Sequence, residues 1–160
     1  MMSVHSAGIL PYRWSDNGLE VLLVHPGGPF WSGKDEGAWS IPKGIYEEIE
    51  NPLQAAKREF REETGFEADG EFMDLGTIRQ PSRKTIHIWA LKLDMDANRV
   101  RSNKFTMEWP RKSGIMMQFP EIDRAEWFDI EKSRQKIQKG QAGFIDRLLL
   151  KAARGGKPDP

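Results

Sequence analysis

The stretch GIYEEIENPLQAAKREFREETGF, Gly44 to Phe66, holds the strongest helix signal in the chain. Asn51 can cap the N-terminus, Pro52 suits the first turn, and Gln54 stands three past the cap as in a capping box. No breaker interrupts Leu53 to Thr64, and Gly65 follows where a C-terminal glycine belongs. At about 100° per residue, Leu53, Ala56 and Phe60 share one stripe, which predicts the buried face. Glu59, Glu62 and Glu63 gather on a neighbouring face at i, i+3 and i+4. Like charges at those spacings cost roughly a few tenths of a kcal/mol per pair. Arg58 is predicted to point to the far side of the cluster and Arg61 beyond it, so neither neutralises all three glutamates. A hard divalent cation would, and an oxygen-only donor set without nearby His or Cys favours Mg²⁺ or Mn²⁺ over Zn²⁺. A solvated acidic face is the plain alternative.

Working outward, 160 residues give the length of one domain, expected over 1–154 with a frayed tail at 155–160. Hydrophobic residues make up 38% and include six Trp and eight Phe, enough for a sizeable core. The formal net charge is zero, so no large positive field draws in nucleic acid or an anionic membrane. With no cysteine, disulfides, thiolate metal sites and a cysteine nucleophile are excluded. Met1 to Leu10 lacks the pattern of a secretory leader, and no apolar run approaches a bilayer span. A cytoplasmic protein is the expectation, as a monomer or a homodimer.

Val4 to Arg13 and Leu19 to His25 read as strands joined by a tight turn at Ser15 to Gly18. Pro26 to Gly37 reads as a loop, and Ala38 to Ile41 as a short strand stopped by Pro42. Glu71 to Gln80 and Lys84 to Leu93 read as two further strands. From Asp94 to Pro120 the pattern is poor, as in a long functional or mobile loop. Ala125 to Asp129 is a last strand, followed by helix over Ile130 to Ala153 with an interruption near Gly140 to Gly143. The mixed order predicts an α/β sandwich.

Gly44, Glu50, Arg58, Glu59, Phe60, Glu62, Glu63, Gly65 and Phe66 occupy every fixed position of the Nudix box. That pattern is Gly, five residues, Glu, seven residues, then Arg-Glu-apolar-any-Glu-Glu-any-Gly-apolar. The chain thus resembles the Nudix (MutT-like) hydrolases. The resemblance implies an α/β/α sandwich around a mixed sheet and Mg²⁺-dependent cleavage of a phosphoanhydride, with Mn²⁺ as a possible substitute. It assigns Glu59, Glu62 and Glu63 to the metal, with the carbonyl of Gly44 as a further ligand, and makes Glu50 and Arg58 supporting partners. Lys43, just ahead of the box, is a candidate phosphate contact. The general base stays open between Glu59, which is placed first, and two acids outside the box, Glu108 and Glu121.

Trp39 to Gly44 (WSIPKG) is similar to the lead-in of the dinucleoside polyphosphate hydrolases of that family, so Trp39 and Lys43 are expected to meet a nucleotide substrate. His87 is a further candidate contact, on the strand face opposite Ile86 and Ile88. Trp31 and Trp109 lie in predicted loops where an aromatic can stack on a base. Arg79, Arg83, Lys84, Arg111 and Lys112 are cations that a long polyphosphate could meet. Nucleoside triphosphates, oxidised ones included, ADP-ribose or another nucleotide sugar, and an RNA cap are alternative substrates. A nucleotide sensor without turnover is the alternative of another class.

Overall fold

The computed structural model describes residues 4–155. Strands β1 (Val4–Ser15), β2 (Gly18–Pro26), β3 (Lys43–Tyr46), β4 (Phe72–Arg79), β5 (Lys84–Lys92) and β8 (Ile122–Asp129) form one mixed sheet in the order β4-β5-β1-β2-β8. The β1–β5 pair is parallel, the other pairs are antiparallel, and β3 pairs β1 alone.

Strict alternation along the strands gives the sheet two apolar faces. Ala7, Ile9, Leu22, Val24, Trp89 and Leu91 meet Ala55, Ala56 and Phe60 of helix α1 (Pro52–Thr64). Leu10, Val21, Leu23, Ile86, Ile88 and Ala90 meet Phe144, Ile145 and Leu148 of helix α3 (Ala142–Gly155). A short helix α2 (Ile130–Lys136) and a 3₁₀ turn at Lys139–Gln141 precede α3, where an interruption is predicted. The result is an α/β/α sandwich with a mixed sheet, the predicted class.

Two local expectations are corrected. Ala38 to Ile41 forms isolated bridges, Ser40 to Val24 and Trp39 to Ile137, and the strand lies instead beyond Pro42. Gly44 is therefore a strand residue. Asp94 to Pro120 is not one long loop, because it carries a 3₁₀ turn at Ala97–Arg99 and a two-stranded hairpin. The hairpin strands are β6 (Lys104–Glu108) and β7 (Met116–Pro120). Trp109-Pro110 and Ser113-Gly114 punctuate its turn, which closes through Trp109 N–H to Ile115 O at 2.9 Å. Gly155 ends α3, while the rest of the expected tail, 156–160, lies outside the described residues.

Candidate active site

Helix α1 is held at both ends by the residues its sequence promises. The Asn51 side chain accepts from Gln54 N–H at 3.1 Å, and Gly65 takes the left-handed φ of 78° with its N–H on Arg61 O. Ala55, Ala56, Phe60 and Thr64 are buried, with two alanines letting the helix sit close on β1 and β3. Leu53, placed by its spacing in the buried stripe, is only half-buried near the exposed first turn.

This seating brings the next helix face against β3. Gly44 has no side chain because Glu59 occupies that space: a Cβ there would lie 2.0 Å from Glu59 Oε2. Glu63 accepts the Lys43 backbone N–H through Oε1 at 3.2 Å. Burial pushes the Glu63 carboxyl up to about 8, against the pull of that N–H and of the Lys43 charge, with Glu59 and Glu121 adding to the rise. Glu59 is likewise raised by burial, with Arg58 opposing and Glu62 and Glu121 reinforcing.

Arg58 does not point away from the cluster, as helix geometry alone predicts; its long side chain folds back along the helix. Nε and Nη2 hold both oxygens of Glu50 at 2.9 and 3.1 Å. Nη1 reaches Glu59 Oε1 at 2.9 Å and both Glu62 oxygens at 3.4 Å. The guanidinium hydrogen bond draws Glu50 below the usual carboxylate range. One arginine thus orients three carboxylates, and Glu63 is outside its reach.

A fourth acid arrives from outside the helix. Glu121 stands between β7 and β8, where its N–H donates to Asn103 O, and Asn103 N–H donates to Glu62 O at the end of α1. Burial raises its carboxyl, and Glu62 raises it further. Its carboxylate accepts no hydrogen bond among the described residues.

The other predicted site residues go elsewhere. Glu108 is spent on the hairpin turn, accepting from Lys112 N–H at 2.9 Å and Gly114 N–H at 3.2 Å. The expectation that Trp39 touches substrate is corrected: its indole is 1% exposed, bonded to Asp35 at 2.8 Å and packed edge-on against Phe128. It has no face left for a ligand. His87 shares the α1 side of the sheet with Gly44, one strand away across Ala7. Its Nε2 lies 2.7 Å from Asp74 Oδ1, and its ring stacks on Trp89. Trp31 and Trp109 are half-buried, and Arg111 and Lys112 sit in the hairpin turn.

Strand alternation sends the Lys43 side chain to the other side of β3 from Glu59. There it lines a pocket of about 340 Å³ with Lys84 and three glutamines, Gln80, Gln138 and Gln141. The glutamines carry no sequence signal. Gln141 accepts from Ile41 N–H at 2.8 Å across about a hundred positions, which no local pattern reveals.

The donor chemistry fits a hard divalent cation: Glu59, Glu62 and Glu63 of α1 with Glu121 beside them, three of the four raised by burial and by neighbouring acids, next to the Gly44 backbone. Among the described residues no group of three or more acids or imidazoles is drawn together closely enough to hold a metal ion by itself. Mg²⁺ does not require one, since it keeps several waters and takes one or two carboxylates with substrate phosphates.

Known proteins share this frame. Residues 4–148 match the model of the NUDIX domain family. Nudix hydrolase 7 of Arabidopsis thaliana is 34% identical over 116 residues, which are 72% of this chain and 36% of that protein. Nudix hydrolase 5 of the same plant is 28% identical over 156 residues, 94% of this chain and 46% of that protein. The chain therefore spans less than half the length of these relatives. Two solved structures share the fold. The Caenorhabditis elegans Ap4A hydrolase in a binary complex superposes with a TM-score of 0.67 at 19% identity, covering 93% of this chain and 98% of that one. The NUDIX domain of Shewanella oneidensis NrtR, complexed with ADP ribose, superposes with a TM-score of 0.64 at 14% identity, covering 94% and 89%. With the family model spanning nearly all of the chain and every box position filled, this protein belongs to the Nudix family.

Proposed function

We propose that this domain is a Mg²⁺-dependent pyrophosphohydrolase that cleaves a phosphoanhydride in a nucleoside-diphosphate-linked substrate, with a dinucleoside polyphosphate as the first choice. One observation carries the reading: Glu59 fills the space that Gly44 leaves open, next to the raised Glu63, with Glu62 and Glu121 beside them and Arg58 and Lys43 offsetting part of the charge. A protein does not hold four acids together for stability, because their repulsion costs energy that a bound cation would offset.

Glu59, Glu62 and Glu63, with the Gly44 carbonyl, would hold Mg²⁺, for which Mn²⁺ can substitute. When bound, the cation neutralises phosphate oxygens and acidifies water. Arg58 fixes the rotamers of Glu59 and Glu62 through the ion pair that Glu50 anchors. The burial of the helix on β1 and β3 keeps these side chains in place before substrate arrives.

Proton transfer belongs to Glu121 in this reading rather than to Glu59, the first choice from sequence. An acceptor needs a lone pair that is not already engaged. Glu59 Oε1 is tied to Arg58, whereas Glu121 carries no hydrogen bond among the described residues and has its affinity for a proton raised by burial and by Glu62. Its carboxylate takes the proton of the attacking water.

The substrate choice rests on the lead-in before the box and on the pair of lysines behind β3. Turnover of dinucleoside polyphosphates, nucleoside triphosphates and nucleotide sugars with Mg²⁺, with the products identified, tests it. Release of a nucleoside polyphosphate from a dinucleoside substrate supports the assignment. Pyrophosphate from a triphosphate, or AMP from ADP-ribose, moves it to those substrates. Nucleotide binding without turnover would make the domain a sensor.

A further inference from the structure

Glu121 differs from the other acids of the cluster in what holds it. Arg58 fixes Glu50, Glu59 and Glu62, and the Lys43 N–H fixes Glu63. No donor among the described residues reaches the Glu121 carboxylate, so its place is set by its backbone. The bonds to that backbone converge on one short segment, Arg101 to Asn103.

The segment joins the end of α1 to the start of β8. At one end it completes the helix, whose last four carbonyls have no intrahelical partner. Gly65 N–H takes Arg61 O, Asn103 N–H takes Glu62 O at 2.8 Å, and Arg101 N–H takes Thr64 O at 2.9 Å. At the other end it continues the hairpin. Beyond the Lys104–Pro120 pair the same register sets Asn103 opposite Glu121, and Glu121 N–H donates to Asn103 O at 2.9 Å. One step further Ser102 comes opposite Ile122, and there the ladder passes to a side chain. Ser102 Oγ accepts the Ile122 N–H at 3.0 Å. It stands 2.9 Å from Asn103 O and 3.3 Å from Ile122 O, either of which can take its proton. From the side of β2, Gly27 N–H donates to Glu121 O at 2.8 Å. A Cβ on Gly27 would lie 2.0 Å from Pro120 O, so the two stretches of main chain touch at that point.

The N–H groups of Glu121 and of the next residue thus both end on the segment, and the segment ends on the Glu62 carbonyl. All but one of these bonds join main chain to main chain, and many sequences could make them. The bond from Ile122 needs a hydroxyl. Ile122 is buried, so without that acceptor its N–H must shift toward water or stay unpaired. Ser102 is therefore where side-chain identity controls the spacing between Glu62 and Glu121.

We propose that Ser102 is a positioning residue for Glu121: its hydroxyl pins the first amide of β8 and so holds the proton acceptor opposite the last turn of α1. The inference rests on the reading of Glu121 as the base and deepens it by naming what aims that base.

Turnover is measured for wild-type protein, Ser102→Ala, Ser102→Thr, Glu121→Gln and the Ser102→Ala/Glu121→Gln double variant. The probe is diadenosine tetraphosphate with Mg²⁺, or the panel nucleotide that is turned over in its place. Circular dichroism, with melting temperatures above that of the assay, verifies that each variant is folded. Ser102→Ala should lower kcat about tenfold with KM unchanged, because Glu121 is displaced while the acids of α1 are not. Ser102→Thr keeps the hydroxyl and should return most of the loss. In the double variant the serine should add nothing to the loss from Glu121→Gln, since one residue acts through the other. Deuterium uptake at Glu121 and Ile122 should rise in Ser102→Ala and stay at the wild-type level through the first turns of α1. Wild-type kcat in Ser102→Ala, threonine as slow as alanine, or a loss that adds in full to that of Glu121→Gln overturns the proposal and leaves Glu121 as the base. A wild-type rate in Glu121→Gln, or no turnover of any panel nucleotide, removes the base reading itself and the proposal with it.

Discussion

Two segments deliver glutamates toward the same place by different means. Helix α1 carries Glu59, Glu62 and Glu63 on one rigid face, where Arg58 and the Lys43 N–H fix their directions. The β6–β7 hairpin carries Glu108 where its turn begins and leads into Glu121 where its second strand ends. Glu108 and Glu121 have the same chemistry and similar neighbours in sequence, yet one caps a turn and the other faces the helix. What separates them is distance from the end of α1, where Asn103 ties the hairpin to Glu62. On the helix, position in sequence sets position in space; on the hairpin, it does so only once the strands have paired.

The strongest test of the helix side is Glu63→Gln. The substitution keeps the shape and removes the charge, so turnover with Mg²⁺ should fall by orders of magnitude while the circular dichroism spectrum stays unchanged. Near-normal turnover would remove Glu63 from the metal and leave the helix as scaffold. On the hairpin side Glu121→Gln should lower kcat by about 10²-fold, the range of a lost general base, with little change in KM. The raised Glu121 carboxyl also predicts a limb of the wild-type pH–rate profile on the acidic side, shifted toward neutral and missing from the variant. Gly44→Ala comes next. Its methyl group would strike the end of a flexible side chain, so the fold should survive while Glu59 is displaced. A misplacement of that size costs up to about 10²-fold in rate, and tenfold is the smallest loss expected.

The same contrast explains what could be read from the sequence. The helix, its caps and its acidic face are local, so spacing alone places Asn51, Gly65 and the three glutamates. Periodicity misdirects Arg58 because it fixes the Cβ direction and leaves out the reach of a long side chain back toward Glu50. The hairpin is not legible in the sequence because only its strand pairing, Phe105 to Phe119 and Met107 to Met117, gives its alternation meaning. Trp39 reads as a ligand contact from its neighbours in sequence, but it is placed in the core by Phe128 and Ile137, nearly a hundred positions away. The glutamines behind β3 carry no sequence signal for the same reason.

A smaller effect tests the electrostatics without any substrate. Glu63 rises from an ordinary 4.5 to about 8 on folding, so the folded protein keeps a proton that the unfolded chain releases across that interval. The resulting stabilisation is complete below 4.5 and is lost as pH climbs toward 8 and beyond. With a chelator present, the melting temperature of wild-type protein should therefore decline over this window more steeply than that of Glu63→Gln, which has no proton to lose. Added Mg²⁺ should recover wild-type stability at the alkaline end, because the cation binds the ionised form. Parallel curves for the two proteins would mean that water reaches Glu63 freely and that its surroundings do not favour the neutral acid.

Glu108→Gln should do least, and for that reason it measures how sharply the hairpin divides. Each oxygen of Glu108 accepts a backbone N–H from the turn at Lys112 or Gly114, and the bonds lie in solvent. An amide keeps one acceptor and turns a donor toward the other N–H, so one charge-assisted bond is lost, at a cost of about 1 kcal/mol or less. Amide exchange should accelerate at the hairpin turn and nowhere else, while kcat and KM stay at wild-type values. A rate loss matching that of Glu121→Gln would mean that the turn closes over the carboxylate cluster during catalysis. The two glutamates would then act together, and the division between a catalytic base and a structural cap would be lost.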